Sequence, residues 1–325
     1  MSKVRSLRAD DISPEDAIIA LMGPTGVGKS KFISAATQQG FDNVGHNLQS
    51  CTGEIRAIRV SRPTDSRNVV LVDTPGFDDT TRSDTEILKM IASWLSKTYK
   101  RHITLAGIIY MHRISDNRIA GTPLKNFSMF TKLCGPRAAQ NVIIATTMWG
   151  RVPSDLGRRR ERELQEKWWK PMLELGSATA RFLDTFESAW SVIDSVLVRG
   201  SMPSPLLLQE EMVDLRLRLN QTEAGKTLYD TLQKLLAKQK EDLRTIRENE
   251  KMQDDSGILC VLVVRYNELE ENIRKTCDDI REMRISLRTR ILMFFTYRNH
   301  RAEKETCIRT AYEAITLQCL HAYIT

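Results

Sequence analysis

The eight residues Gly23-Pro-Thr-Gly-Val-Gly-Lys-Ser30 constrain this 325-residue chain more than any other feature. They satisfy GxxxxGK[ST] and lie between the apolar run at 17–22 and a helical pattern that begins near Lys29. In that setting the glycines let successive backbone N–H groups turn toward phosphate oxygens, and the helix adds the positive end of its dipole. Gly23, Pro24, Thr25, Gly26, Val27, Gly28 and Lys31 are expected to line the phosphates. Lys29 is expected to reach the β- and γ-phosphates, and the Ser30 hydroxyl to ligate Mg²⁺.

A second motif, VVLVDTPGFDD, sets Asp73 at the end of an apolar strand, where its carboxylate can enter the same metal shell. Gly76 follows three residues later, close enough in sequence for its N–H to meet a γ-phosphate. Strand-like runs at 17–22, 54–59, 69–72, 106–111, 141–146 and 181–183 alternate with helical patterns at 29–37, 84–99, 123–133, 157–175 and 187–197. Such alternation requires crossovers, hence a mostly parallel sheet with helices on both faces: an α/β, P-loop NTPase class of fold. Residues 1–14 read as a tail, 15–200 as the nucleotide domain and 201–325 as a helical extension, divided at the Gly/Ser/Pro break RGSMPSP.

The extension carries leucines at helical spacing among charges, a pattern of one or two long amphipathic helices or a coiled coil, broken at 254–257 and resumed at 262–286. Its segment 284–304, RISLRTRILMFFTYR with basic flanks, suits either a membrane surface or burial against a helical partner. The formal charge of +7 belongs to the first 200 residues, and with no RNA-binding motif or aromatic-basic interleaving no nucleic acid is expected. Six scattered cysteines with no CxxC pair, and no long apolar run, point to a reduced cytoplasmic protein, with peripheral membrane contact as the variant.

DxPG after GxxGVGKS is typical of GTP-binding switch proteins. GPTGVGKSKFI, HNLQSCT and DTPGFDD resemble the septin-like group of the TRAFAC class, which includes septins, chloroplast import-receptor GTPases and AIG1-type GTPases. YMHRISDNRIAGTPLKNFSMFTKLCG is similar to fungal AIG1-like proteins. The resemblance covers about 15–200. It implies GTP and GDP as ligands with Mg²⁺, and Thr52 as a switch residue completing the metal shell when triphosphate is bound. It also implies pairing of two G domains, with Arg113 entering the partner's site; a loop arginine bridging Asp116 is the alternative.

Two departures stand out. The residue after Gly76, where fast GTPases place a water-orienting glutamine, is Phe77, so hydrolysis by the lone chain is expected to be slow. The base-reading stretch is Thr147-Met148-Trp149-Gly150, with glycine where an aspartate would read guanine. Trp149 is expected in the lysine's place, stacked on a purine or packed beneath the loop, and Ser188 in a last base-contacting loop. The expected function is a slow GTPase switch working through dimerisation; the alternatives are a GTP-dependent assembly protein that does not depend on hydrolysis, and an ATP-binding module.

Overall fold

The computed structural model describes residues 6–7, 11–13, 15–38, 55–60, 68–79, 82–116, 122–200, 204–251 and 256–284. Thr52 and all of the surrounding residues 42–53, together with 285–304 of the basic apolar segment, lie outside them.

Seven strands form one sheet: β1 (Ser6–Leu7), β2 (Ala17–Met22), β3 (Arg56–Val60), β4 (Val69–Asp73), β5 (Leu105–Arg113), β6 (Val142–Thr147) and β7 (Ala178–Arg181). Their order is β1-β3-β4-β2-β5-β6-β7. β1 and β3 run antiparallel to their neighbours and every other pairing is parallel. β2 and β4 are continuous apolar runs because both of their faces are covered. On one face α1 (Lys29–Thr37) and α6 (Phe186–Arg199) bury Phe32, Ile33, Trp190 and Ile193. On the other, α2 (Asp84–Lys100) and α3 (Thr122–Ala138) bury Leu88, Leu95, Phe130 and Leu133. The architecture is a mostly parallel α/β sheet with helices on both faces and added C-terminal helices.

Several boundaries differ from the sequence reading. The last strand is Ala178–Arg181 rather than 181–183: Ala-Thr-Ala carries no apolar signature, and of the expected strand Leu183 is exposed. The helical pattern at 157–175 divides into α4 (Ser154–Glu163), a π-turn over Leu164–Trp168 and α5 (Lys170–Glu174). The leucine-rich run after 205 is not helical throughout. A single turn, α7 (Leu207–Gln209), leads into a second π-turn, Glu210–Asp214, and the long helix α8 starts only at Glu223 and runs to Lys251. α9 (Ser256–Met283) returns antiparallel beside it.

Ala224, Leu228 and Leu232 of α8 and Met283 of α9 belong to the same buried cluster as α2 and α3, and residues up to Met283 form one compact unit. Among the described residues no helix is long and apolar enough to cross a membrane.

Candidate functional site

The C-terminal ends of β2, β4, β5 and β6 meet at one rim of the sheet, delivering Gly23, Asp73, Arg113 and Thr147 to one place. This is the rim where open parallel sheets bind ligands. Between β2 and α1 the chain makes a tight loop whose glycines are required by geometry. Gly23 has φ +140°, and a β-carbon there would stand 2.5 Å from the Met111 carbonyl oxygen. Gly28 is the left-handed N-cap of α1, φ 101°, with no side chain capping the helix. By contrast α2 and α6 are closed by the capping boxes Ser83/Glu86 and Thr185/Ser188. The first N–H groups of α1 are therefore left for an anion.

Lys29 is buried beneath this loop and donates to the carbonyls of Gly23, 3.0 Å, and Pro24, 3.1 Å. Burial pushes its ammonium down to about 8, against the attraction of Asp73 and Asp79. The Ser30 hydroxyl reaches Asp73 Oδ2 at 3.4 Å. Asp73 is fully buried, and burial pushes its carboxyl up to about 6, opposed by Lys29, the Ser30 bond and Arg56. Its other oxygen, Oδ1, has no hydrogen-bond partner among the described residues. A buried carboxylate oxygen left bare costs free energy unless a cation or donor completes it. A serine hydroxyl and one carboxylate, with phosphate oxygens and water for the remaining positions, is a donor set that suits Mg²⁺.

The loop after Asp73 is stitched to the phosphate loop. Thr25 N donates to the Phe77 carbonyl at 3.0 Å, and Thr25 Oγ1 to the Gly76 carbonyl at 3.1 Å. A β-carbon on Gly76 would lie 2.5 Å from Thr25 N, so only glycine permits this approach. Phe77 itself points into the core, 1% exposed. His112 is likewise buried, packed edge-on to Trp169 at 5.6 Å, and burial holds it neutral with a pKa of about 4.

At the opposite end of the loop, Thr147 Oγ1 donates to the Val27 carbonyl at 2.8 Å, tying β6 to the phosphate loop. The residue beside that loop is Met148, not Trp149. Met148 takes a left-handed conformation, φ 62°, and its Cε lies 3.9 Å from the β-carbon position on Gly28. Trp149 is swung away into packing. Its indole N–H donates to Thr146 Oγ1 at 3.0 Å, the Arg181 guanidinium lies 4.4 Å over its ring, and Gly157 abuts its six-membered edge. Arg181 is in turn paired with Glu161. The positive φ that turns 148 inward and 149 outward has no signature in the residue types.

Ser188 sits in the first turn of α6, where its hydroxyl accepts from the N–H groups of Leu183 and Thr185. Sequence reasoning missed its neighbour Asp184, a left-handed residue that pairs with Lys31 at 2.7 Å and so links the β7–α6 loop to α1. Arg113 ends β5, bonds Asp116 through Nε at 3.0 Å, and brings Nη1 within 3.7 Å of the β-carbon position on Gly26.

Residues 18–134 match the family model of a 50S ribosome-binding GTPase. That span includes the phosphate loop, Asp73 and Arg113 and ends before the Thr147–Gly150 loop. No curated protein sequence matches the chain. Solved structures with a similar fold include Toc33 from Arabidopsis thaliana in complex with GDP and Mg²⁺, at 13% identity over 59% of this chain and 87% of that one, TM-score 0.45. Era from Aquifex aeolicus bound to GDP·AlF4⁻ shares 16% identity over 67% of this chain and 68% of that one, TM-score 0.41. SelB from Methanococcus maripaludis with the GTP analogue GppNHp shares 10% over 58% and 35%, TM-score 0.40.

Proposed function

We propose that the chain binds GTP and GDP with Mg²⁺, hydrolyses GTP slowly by itself, and works as a nucleotide-dependent switch whose G domains pair across the nucleotide site. The observation that carries this reading is the buried trio Lys29, Ser30 and Asp73, with Asp73 Oδ1 left bare beneath an uncapped helix N-terminus. Lys29 and the loop N–H groups would hold the phosphates; Ser30 and Asp73 would hold the metal, whose chemistry is to neutralise charge developing on the phosphoryl oxygens.

Slow hydrolysis follows from Phe77. A glutamine at that place orients the attacking water, whereas a phenyl ring buried in the core cannot. Whatever positions the water must come from elsewhere, and pairing that orders the loops around the phosphates would provide it. The same burial favours one second reading, a GTP-dependent assembly protein for which hydrolysis is incidental.

Two measurements test these readings. Lys29→Ala should abolish nucleotide binding or weaken it at least about tenfold, since a charge-assisted contact to phosphate is lost from a desolvated site. Near-wild-type affinity in the folded variant would refute the site. Single-turnover hydrolysis across protein concentrations then separates switch from assembly protein: a rate per molecule that climbs with dimer fraction supports the first, a flat one the second. Identification of the co-purifying nucleotide names the base.

A further inference from the structure

β5 outlasts its neighbour β2 by three residues: Tyr110 pairs with Met22, and Met111, His112 and Arg113 run on past the point where β2 gives way to the phosphate loop. Arg113 therefore stands alongside that loop rather than above an open rim. Its guanidinium is held through Nε. Nε is held by Asp116 in a turn closed by Asp116 N to the Arg113 carbonyl at 3.3 Å and by Ile114 N to the Thr147 carbonyl at 3.0 Å. Nη1 lies 3.7 Å from the position a β-carbon would take on Gly26, so that end of the guanidinium faces the loop. Only about a third of the side chain, 35%, is exposed.

An arginine destined for a neighbouring molecule has to leave its own surface, losing the Asp116 pair and its place beside the loop. One destined for its own nucleotide is already seated. We infer that Arg113 acts in cis, as a catalytic residue directed at the terminal phosphates of the nucleoside triphosphate bound by its own chain, with Asp116 as the positioning residue that aims it. This rests on the reading of the loop as a triphosphate site.

Asp78, on the loop that follows Gly76, feels the Arg113 charge, so the guanidinium lies within electrostatic reach of both the phosphate loop and the segment that would sense the γ-phosphate. A fixed guanidinium there counters the charge that spreads over the γ-phosphoryl oxygens as the bond to the β-phosphate breaks and water adds. Pairing of G domains then contributes order around the site, not a second arginine.

The experiment is a mixing assay. Single-turnover GTP hydrolysis is measured for wild type, Arg113→Ala and Arg113→Lys, then for Arg113→Ala in the presence of excess wild type loaded with a non-hydrolysable GTP analogue, which keeps Arg113 and can pair but turns nothing over. Arg113→Ala should lose about tenfold or more in rate, in line with the loss of a cis-acting arginine, while binding GTP within about threefold of wild type. Arg113→Lys, which keeps the charge but not the planar fork, should lie between the two. Added analogue-loaded wild type should restore nothing.

Recovery of the rate on mixing would overturn the cis assignment in favour of a donated arginine. An unchanged rate in Arg113→Ala would remove the residue from catalysis altogether. Failure of the wild-type chain to bind any nucleoside triphosphate would instead bring down the reading beneath it, and that result appears before any variant is made.

Discussion

Gly150 has open space within 4 Å of the position a β-carbon would take, and its backbone lies outside the left-handed region. An aspartate therefore fits there without strain, beside a loop that Thr147 already fastens to the phosphate loop. We expect Gly150→Asp to raise the GTP-over-ATP affinity ratio about tenfold or more, because a carboxylate accepts from guanine N1–H and N2 but opposes the acceptor N1 of adenine. Competition binding with both nucleotides reads this directly; an unchanged ratio would mean that another group, such as one in the loop before Ser188, already reads the base. The phosphate end of this site was legible because its chemistry fixes spacing: GxxxxGKS and DxPG place Lys29, Ser30 and Asp73 wherever the strands end. The conformation of the Thr147–Gly150 stretch was not, because which of Met148 and Trp149 faces the loop depends on one backbone angle.

Among the elements, α8 has an unusual start. Its N-terminus is capped from another segment: both oxygens of Glu211, in the π-turn after α7, accept from Glu223 N at 3.1 and 3.2 Å. Glu211 is 1% exposed. Burial pushes its carboxyl up to about 7; the bond from Glu223 N and the Lys226 ammonium pull the other way, and the carboxylates of Glu223 and Glu210 add to the rise. Between the free-glutamate value of 4.5 and about 7 the folded chain keeps a proton that the unfolded chain has lost. Stability should therefore fall as pH rises through that window and level off above it. Glu211→Gln keeps an acceptor for α8 and removes the charge. Its melting temperature should exceed that of wild type at pH 8 and converge with it by pH 5. A lower value at pH 8 would show that the ionised cap is what holds the helix. No periodicity announces such a junction, since the leucines before it read as continuous helix; the hydrogen bonds of Glu211 interrupt that pattern.

For the whole molecule, the extension is part of the domain's core. Gln209 Nε2 donates to the Leu95 carbonyl at 3.2 Å, Tyr99 to Asp214 at 3.2 Å, and Arg137 pairs with Glu210 at 3.0 Å. Leu228, 1% exposed, lies in the same cluster as Leu95 and Phe130. Leu228→Ala should cost about 2–5 kcal/mol. All five tryptophans fall between Trp94 and Trp190, so their fluorescence follows the sheet domain while far-ultraviolet circular dichroism also follows the hairpin. The two unfolding curves should coincide and shift together in the variant; an early dichroism phase alone would mean that the hairpin melts by itself. Amphipathic spacing revealed that these helices exist, but their docking depends on which polar groups meet across long separations. Both legs of the hairpin are rooted at the domain, α9 through Asp279, which accepts from Ser83 at 2.9 Å, and through Glu282 paired with Lys89. Ser83 caps α2, four residues beyond the Asp79 that follows the Gly76 loop. From Gln233 outward the described side chains of α8 are exposed or half-buried, save Ile246. Its 29 residues make a rod about 44 Å long, so a tilt of about 10° at the root carries the tip about 8 Å. Mechanically, the hairpin is a pointer mounted on the start of α2, and a displacement too small to alter any buried contact at its base becomes a difference in reach at its end.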